Sequence, residues 1–220
     1  MKFDIITIFP KIFDSYFNES ILKRAQEKRL IKITAHNLRD FAMDKHRKVD
    51  DKPYGGGPGM VLKVEPIFKA VEKLKVKSKK LKVRTILFST RGEKLTSSVA
   101  KRLAKYDQLI LICGRYEGVD ERVAQYVADE EISIGDFVLA GGELPAMVLT
   151  EAVSRYIPGV LGKYESLEDI KGSYVSYTRP EVFVPKLKTK NLKLKTKVWS
   201  VPKVLITGHH KNIDKWRSGR

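Results

Sequence analysis

The chain has 220 residues, 42% of them hydrophobic, and 43 Lys+Arg against 26 Asp+Glu give a net charge of +17. This size suits one well-packed core with a small appendage, and no apolar run approaches the roughly 20 residues of a membrane span. The start, Met1 to Phe9, is too short and acid-interrupted for a signal peptide, so the expected compartment is the cytoplasm, and a pI near 9.8 favours a polyanionic partner, nucleic acid before a membrane.

Phe3 to Phe9 is β-branched and weakly alternating, which predicts a buried first strand ending at Pro10. Ile12, Phe13, Tyr16, Phe17, Ile21, Leu22 and Ala25 recur at helical spacing, and a second strand is expected near Ile31 to Ala35. From Arg39 to Met60 the pattern dissolves, with charge of both signs and four glycines within Gly55 to Gly59, so no regular element is expected there. The glycines match neither a phosphate-binding Gly-Lys-Ser/Thr loop nor a dinucleotide fingerprint. They read either as a loop whose backbone approaches something closely or as a flexible linker.

Glu65 to Leu74 reads as a helix, followed by a lysine-rich turn and a strand from Val83 to Phe88 that Ser89 to Gly92 should end. Thr96 is placed to cap a helix reaching Tyr106, and Leu109 to Cys113 is apolar enough for a strand buried on both faces. The lone cysteine, Cys113, excludes an internal disulfide and reads as a buried thiol, and the four histidines lack zinc-ligand spacing. Helical Val123 to Val127 and a strand near Ile132 continue the alternation. Strands alternating with helices predict an α/β fold whose parallel sheet carries helices on both faces and takes ligands at its C-terminal edge. Three loops then share that edge: Ser89 to Gly92, Gly114 to Gly118, and Ile134 to Pro145.

The last loop is the most informative. A short strand stops at Gly135, bare backbone at Gly141-Gly142 follows beside apolar Phe137, Val138 and Leu139, and Pro145 sits in a first helical turn, where its missing N–H costs nothing. Free backbone groups next to apolar side chains suit a flat heterocycle. A tight connection with both glycines at positive φ accounts for the same residues.

Four stretches carry a family resemblance: Tyr54-Gly-Gly-Gly-Pro-Gly-Met60, Cys113-Gly-Arg-Tyr-Glu-Gly-Val-Asp-Glu-Arg122, Ser133-Ile-Gly-Asp-Phe-Val-Leu-Ala-Gly-Gly-Glu-Leu-Pro-Ala146 and Ser154-Arg-Tyr-Ile-Pro-Gly-Val-Leu-Gly162. Together they resemble the TrmD family of bacterial tRNA (guanine-N1)-methyltransferases in the SPOUT superfamily. The match runs from Met1 to Gly162 and resumes at Tyr177-Thr-Arg-Pro-Glu-Val182. It implies a methyltransferase domain over 1–162, a linker over 163–176 and a reduced, lysine-rich tRNA-binding extension over 177–220. It also implies a deep trefoil knot, which no topology rule would propose, and a homodimer with shared active sites. The implied substrate is the anticodon arm of tRNA rather than DNA, methylated at N1 of guanosine 37.

The resemblance places S-adenosylmethionine against Leu87, Ser89, Gly114, Tyr116, Glu117, Ile134, Gly135, Asp136, Phe137, Val138, Leu139, Gly141, Gly142 and Pro145. It makes Arg155 and Asp169 the catalytic pair, Asp169 coming from the linker of the other subunit. N1 of guanine must lose a proton before it attacks, and charge then spreads to O6; Asp169 suits the base and Arg155 the stabilising cation. The family is magnesium-assisted, but no acidic cluster here marks a metal position. Two departures stand out. Ile170 follows Glu168-Asp169 where the family has a hydroxyl residue, and lysines alternate from Pro185 to Pro202, as two short strands turning near Lys190-Asn191 or as an irregular basic tract. The family continues into a helical domain, whereas this sequence ends at Arg220. A related RNA methyltransferase and a non-catalytic RNA-binding protein are the rival readings.

Overall fold

The computed structural model describes residues 1–76, 80–162, 175–185 and 198–218. The chain divides into two compact units, Met1–Leu167 and Glu168–Arg220, a division that falls within the segment 163–176 read as a linker. Asp169 and the lysine tract 186–197 lie outside the described residues.

The first unit is built on a five-stranded sheet of β1 (Lys2–Thr7), β2 (Lys32–Asn37), β5 (Val83–Lys94), β6 (Gln108–Ile112) and β7 (Glu130–Ser133), in the order β2-β1-β6-β5-β7. All four pairings are parallel, so every strand points its C-terminal end to one edge. The period of two sorts the side chains between two faces. Phe3, Ile5, Ile86, Leu109 and Leu111 pack on one side with α2 (Ser20–Glu27), α4 (Ser97–Leu103) and α6 (Glu143–Ser154). Ile6, Leu87, Ile110 and Ile112 pack on the other with α3 (Val64–Val76) and α5 (Glu121–Tyr126). The expected α/β architecture is what the chain adopts.

Several boundaries differ from expectation. The apolar spacing from Ile12 to Ala25 is split into a 3-10 turn (Pro10–Phe13), a one-turn α1 (Asp14–Phe17) and α2, with Ser20 at φ 51° redirecting the chain. Phe13, Phe17, Leu22 and Ala25 still reach one core, so the spacing reported the buried face and not the helix's continuity. The region expected to lack regular structure holds a 3-10 turn (Leu38–Phe41), where the Asn37 side chain accepts the Arg39 N–H, and an antiparallel pair, β3 (Asp50–Asp51) with β4 (Val61–Leu62).

The strand expected to end at Ser89 runs on to Lys94. Phe88 and Glu93 both pair with Ile132, so residues 89–92 leave the ladder and return to it at the same rung. This is a bulge larger than the usual single residue, and it aims its residues at the C-terminal edge. Thr96 does cap α4: its hydroxyl accepts the Val99 N–H at 3.3 Å.

In the second unit β8 (Val182–Phe183) pairs antiparallel with β9 (Trp199–Ser200). The Phe183 and Trp199 rings stack tilted at 5.4 Å between centroids, and α7 (His210–Ser218) follows. Among the described residues no helix is long and apolar enough to cross a membrane.

Candidate active site

The three loops at the C-terminal edge enclose a cavity of about 370 Å³, within the size range of small-ligand sites. One wall is Leu87 to Arg91 from the β5 excursion, the second Gly114 to Val119 after β6, and the third Ile132 to Gly142 after β7, with Pro145 at the start of α6. Of the residues expected there, Leu87, Ser89, Gly114, Tyr116, Glu117, Ile134, Gly135, Phe137, Val138, Leu139, Gly141, Gly142 and Pro145 all line it. Asp136 does not line it; its Oδ2 accepts from Lys94 Nζ at 2.5 Å on the exposed side.

The positive φ expected of the glycine pair is not what holds it in place. Neither Gly141 nor Gly142 has positive φ; Gly142 sits at φ −83°. A β-carbon on Gly142 would stand 2.6 Å from Cys113 Cα, so α6 can begin directly over the β6 loop only without one. The Gly142 N–H donates to the Gly114 carbonyl at 3.0 Å and locks that approach. Tyr116, by contrast, holds φ 62° with its ring half exposed in the second wall. A non-glycine residue kept in the left-handed region at a cavity wall is the kind of local strain found at ligand sites.

Gly59 from the glycine-rich loop meets the same wall. A β-carbon there would fall 2.5 Å from the Glu117 side chain, the Glu117 N–H donates to the Met60 carbonyl at 3.0 Å, and the Leu62 N–H donates to the Gly118 carbonyl at 3.0 Å. Gly55, Gly56 and Gly57 have open space around them and left-handed φ values instead. The glycine run therefore backs the second wall at its end and turns freely at its start.

Polar groups that sequence reasoning passed over organise the cavity. Glu143, at the first position of α6, is only 1% exposed; Oε1 accepts from the Thr7 hydroxyl at 2.7 Å and Oε2 from Arg115 Nε at 2.8 Å. On the rim Arg91 donates to both oxygens of Glu121 at 2.7 and 2.6 Å and to Glu131 at 3.1 Å, tying the β5 excursion to α5 and β7. No sequence pattern links an arginine and a glutamate 28 residues apart, and no composition signal marks an acid as buried. Cys113 lies beneath, fully buried, and burial together with the nearby Glu143 pushes its thiol well above the usual range, which leaves it unreactive.

Arg155 does not line this cavity, and Asp169 lies outside the described residues. Arg155 is the C-terminal cap of α6, about 15 Å along the helix from Pro145 at 1.5 Å per residue. Among the described residues no group of three or more His, Cys, Asp or Glu could hold a metal ion.

A model of the family described as tRNA (Guanine-1)-methyltransferase TrmD matches residues 1–220. A tRNA (guanine-N(1)-)-methyltransferase of Geotalea uraniireducens is 52% identical over 99% of this chain and 84% of its own. One of the same name from Dehalococcoides mccartyi is 50% identical with the same coverage. Among solved structures, the tRNA (m1G37) methyltransferase of Aquifex aeolicus superposes with a TM-score of 0.77 at 40% identity, over 98% of this chain and 87% of that one.

Proposed function

The chain belongs to the TrmD family of tRNA (guanine-N1)-methyltransferases, and on that premise we propose that it methylates N1 of guanosine 37 in the anticodon loop, taking the methyl group from S-adenosylmethionine held in the three-loop cavity. The observation that carries this reading is the convergence of three separate loops on one sheet edge, which sets the cavity-lining Gly114, Gly141 and Gly142 beside exposed Phe137, Val138 and Leu139. Such a lining fits a flat purine flanked by a short charged chain. In this reading the loops are also the crossings of the family's trefoil knot.

When bound, S-adenosylmethionine supplies an electrophilic methyl group on a sulfonium centre. The protein's own task is to prepare the nucleophile. Asp169 accepts the N1 proton of guanine, a contribution of roughly 10²–10⁴ in rate, and the Arg155 guanidinium stabilises the charge that develops on O6. Alignment of the two reactants does the rest, and no covalent enzyme intermediate is needed. The described residues offer no cluster of three or more His, Cys, Asp or Glu for magnesium.

In this reading the active site is shared between the subunits of a homodimer, Arg155 acting with Asp169 from the linker of the other subunit. Exposed apolar side chains support such a partner. Phe9, Ile12, Leu144 and Val148, on the 3-10 turn region and the outer side of α6, are each 41–54% exposed, and apolar residues grouped in this way mark protein contacts. The net charge of +17 provides the long-range attraction for tRNA.

The test is to incubate protein, S-adenosylmethionine and a tRNA with guanosine 37, and to map the methylated base. Methylation at N1 of that base is expected, and Asp169→Asn should bind the methyl donor normally while its single-turnover rate falls at least about a hundredfold. Methylation at another base would favour a different RNA methyltransferase. Donor binding without any methylation would favour a non-catalytic RNA-binding protein.

A further inference from the structure

The Arg115 side chain is only 20% exposed, and its partners come from the start of α6, from the loop before it and from the residue ahead of the first 3-10 turn. Its Nε donates to Glu143 Oε2 at 2.8 Å, its Nη1 reaches the Ala140 carbonyl at 3.4 Å, and its guanidinium carbon lies 4.8 Å from the centre of the Phe9 ring. Its backbone forms an isolated antiparallel bridge with Gly141. Glu143 completes the unit by accepting from Thr7 at the end of β1. The space over Gly141 is filled by this pair: a β-carbon there would stand 2.3 Å from Arg115 Nε and 2.6 Å from Glu143 Oε2. The glycine is thus required by the ion pair next to it.

We propose that Arg115 is a positioning residue which, held by Glu143 and Phe9, fixes the Ala140–Gly142 backbone in the conformation that receives S-adenosylmethionine. The inference rests on the reading of the cavity as the S-adenosylmethionine site. Its physical basis is the planar fork of the guanidinium, which serves a buried carboxylate and a loop carbonyl at once while its face stays on an aromatic ring. A lysine ammonium at the same place neutralises Glu143 but has no rigid fork and no planar face with which to hold Ala140 as well. A purely structural role and a positioning role therefore part company at Arg115→Lys.

The experiment compares wild type, Arg115→Lys and the double variant Arg115→Leu/Glu143→Gln by thermal unfolding and by calorimetric titration with S-adenosylmethionine, with tRNA affinity as a control. Arg115→Lys should unfold within a few degrees of wild type, bind tRNA normally and lose about tenfold or more in S-adenosylmethionine affinity. The double variant, which leaves no unpaired buried charge, should likewise keep its stability and lose donor affinity. Donor affinity equal to wild type in Arg115→Lys would overturn the inference alone. A loss of donor affinity that merely tracks a loss of thermal stability in both variants would also overturn it. Failure of wild-type protein to bind S-adenosylmethionine would overturn the reading of the cavity, and this inference with it.

Discussion

Replacing Gly142 by alanine tests the central geometric claim, that the cavity exists because α6 starts in contact with the β6 loop. The backbone at Gly142 has φ −83°, which alanine adopts without strain, so any effect is steric. The added carbon would lie 2.6 Å from Cys113 Cα and 3.1 Å from both Cys113 Cβ and Gly114 N. Ordinary contact needs roughly 3.5–4 Å, so the helix start must retreat by about an ångström and stretch the Gly142 to Gly114 hydrogen bond, now 3.0 Å. Overpacking of this kind costs about 1–3 kcal/mol and the weakened hydrogen bond about 1 more. The sum, about 2–4 kcal/mol, corresponds to a fall in melting temperature of roughly 4–16 °C for a domain of this size. Gly114→Ala is the matched control, since its β-carbon would meet only Val119 Cγ1, at 3.5 Å. Urea unfolding and donor titration on both variants should show Gly142→Ala impaired in stability and binding, and Gly114→Ala within about 0.5 kcal/mol of wild type in stability. Equal behaviour of the two would refute the steric account.

Mixing a chain carrying Arg155→Ala with a chain carrying Asp169→Asn should restore about one working site per mixed dimer, because each site takes the two groups from different subunits; mixed dimers no more active than the unmixed variants would sink the shared site. Burial alone would raise the Glu130 carboxyl, but the Arg102 and Arg84 guanidinium groups outweigh it and hold the pKa below the usual value. Because the folded pKa is depressed, this stabilisation is present above the unfolded value near pH 4.3 and is lost as pH falls through the folded one. Wild type should accordingly lose more stability than Glu130→Gln on acidification from roughly pH 5 to pH 3, and parallel curves in urea would contradict the assignment. Deleting residues 186–197, the lysine tract beyond the β8–β9 pair, should weaken tRNA binding and flatten its dependence on log salt by several units without changing donor affinity; an unaltered slope would remove this tract from the RNA contact.

Elements that bury residues on a regular period were the legible ones. Leu109 to Cys113 is apolar throughout because both faces of the central strand are covered, and Thr96 announces α4 because a cap is a local device. The β5 continuation was hidden because its residues after Phe88 are polar and largely exposed, and its pairing depends on β7, some 40 residues away. The break before α2 was hidden because the same apolar positions reach the core with or without it. At the cavity, the glycines and the apolar loop were visible as residue types, but the reason for Gly142 was not, since the obstacle it avoids is Cys113. The Arg115–Glu143 pair has no signature at all in one dimension: two charged residues in a loop and a helix start read as solvated until folding brings them to 2.8 Å in a buried setting.

The excursion of β5 has a consequence for how freely its composition can vary. Because residues 89–92 depart from and return to the ladder opposite one residue, Ile132, the sheet's register on either side is indifferent to how many residues the detour contains. Its tip at Thr90 is therefore open to lengthening or to a new side chain without disturbing the strands. Its return is not: at Gly92 a β-carbon would collide with the β7 backbone, 2.5 Å from both the Glu131 carbonyl carbon and the Ile132 nitrogen. A designer seeking to alter what this enzyme accepts would thus find variable ground at Thr90, between Ser89 in the cavity wall and Arg91, whose ion pairs hold Glu121 and Glu131, with Gly92 beyond them as a position at which only glycine fits.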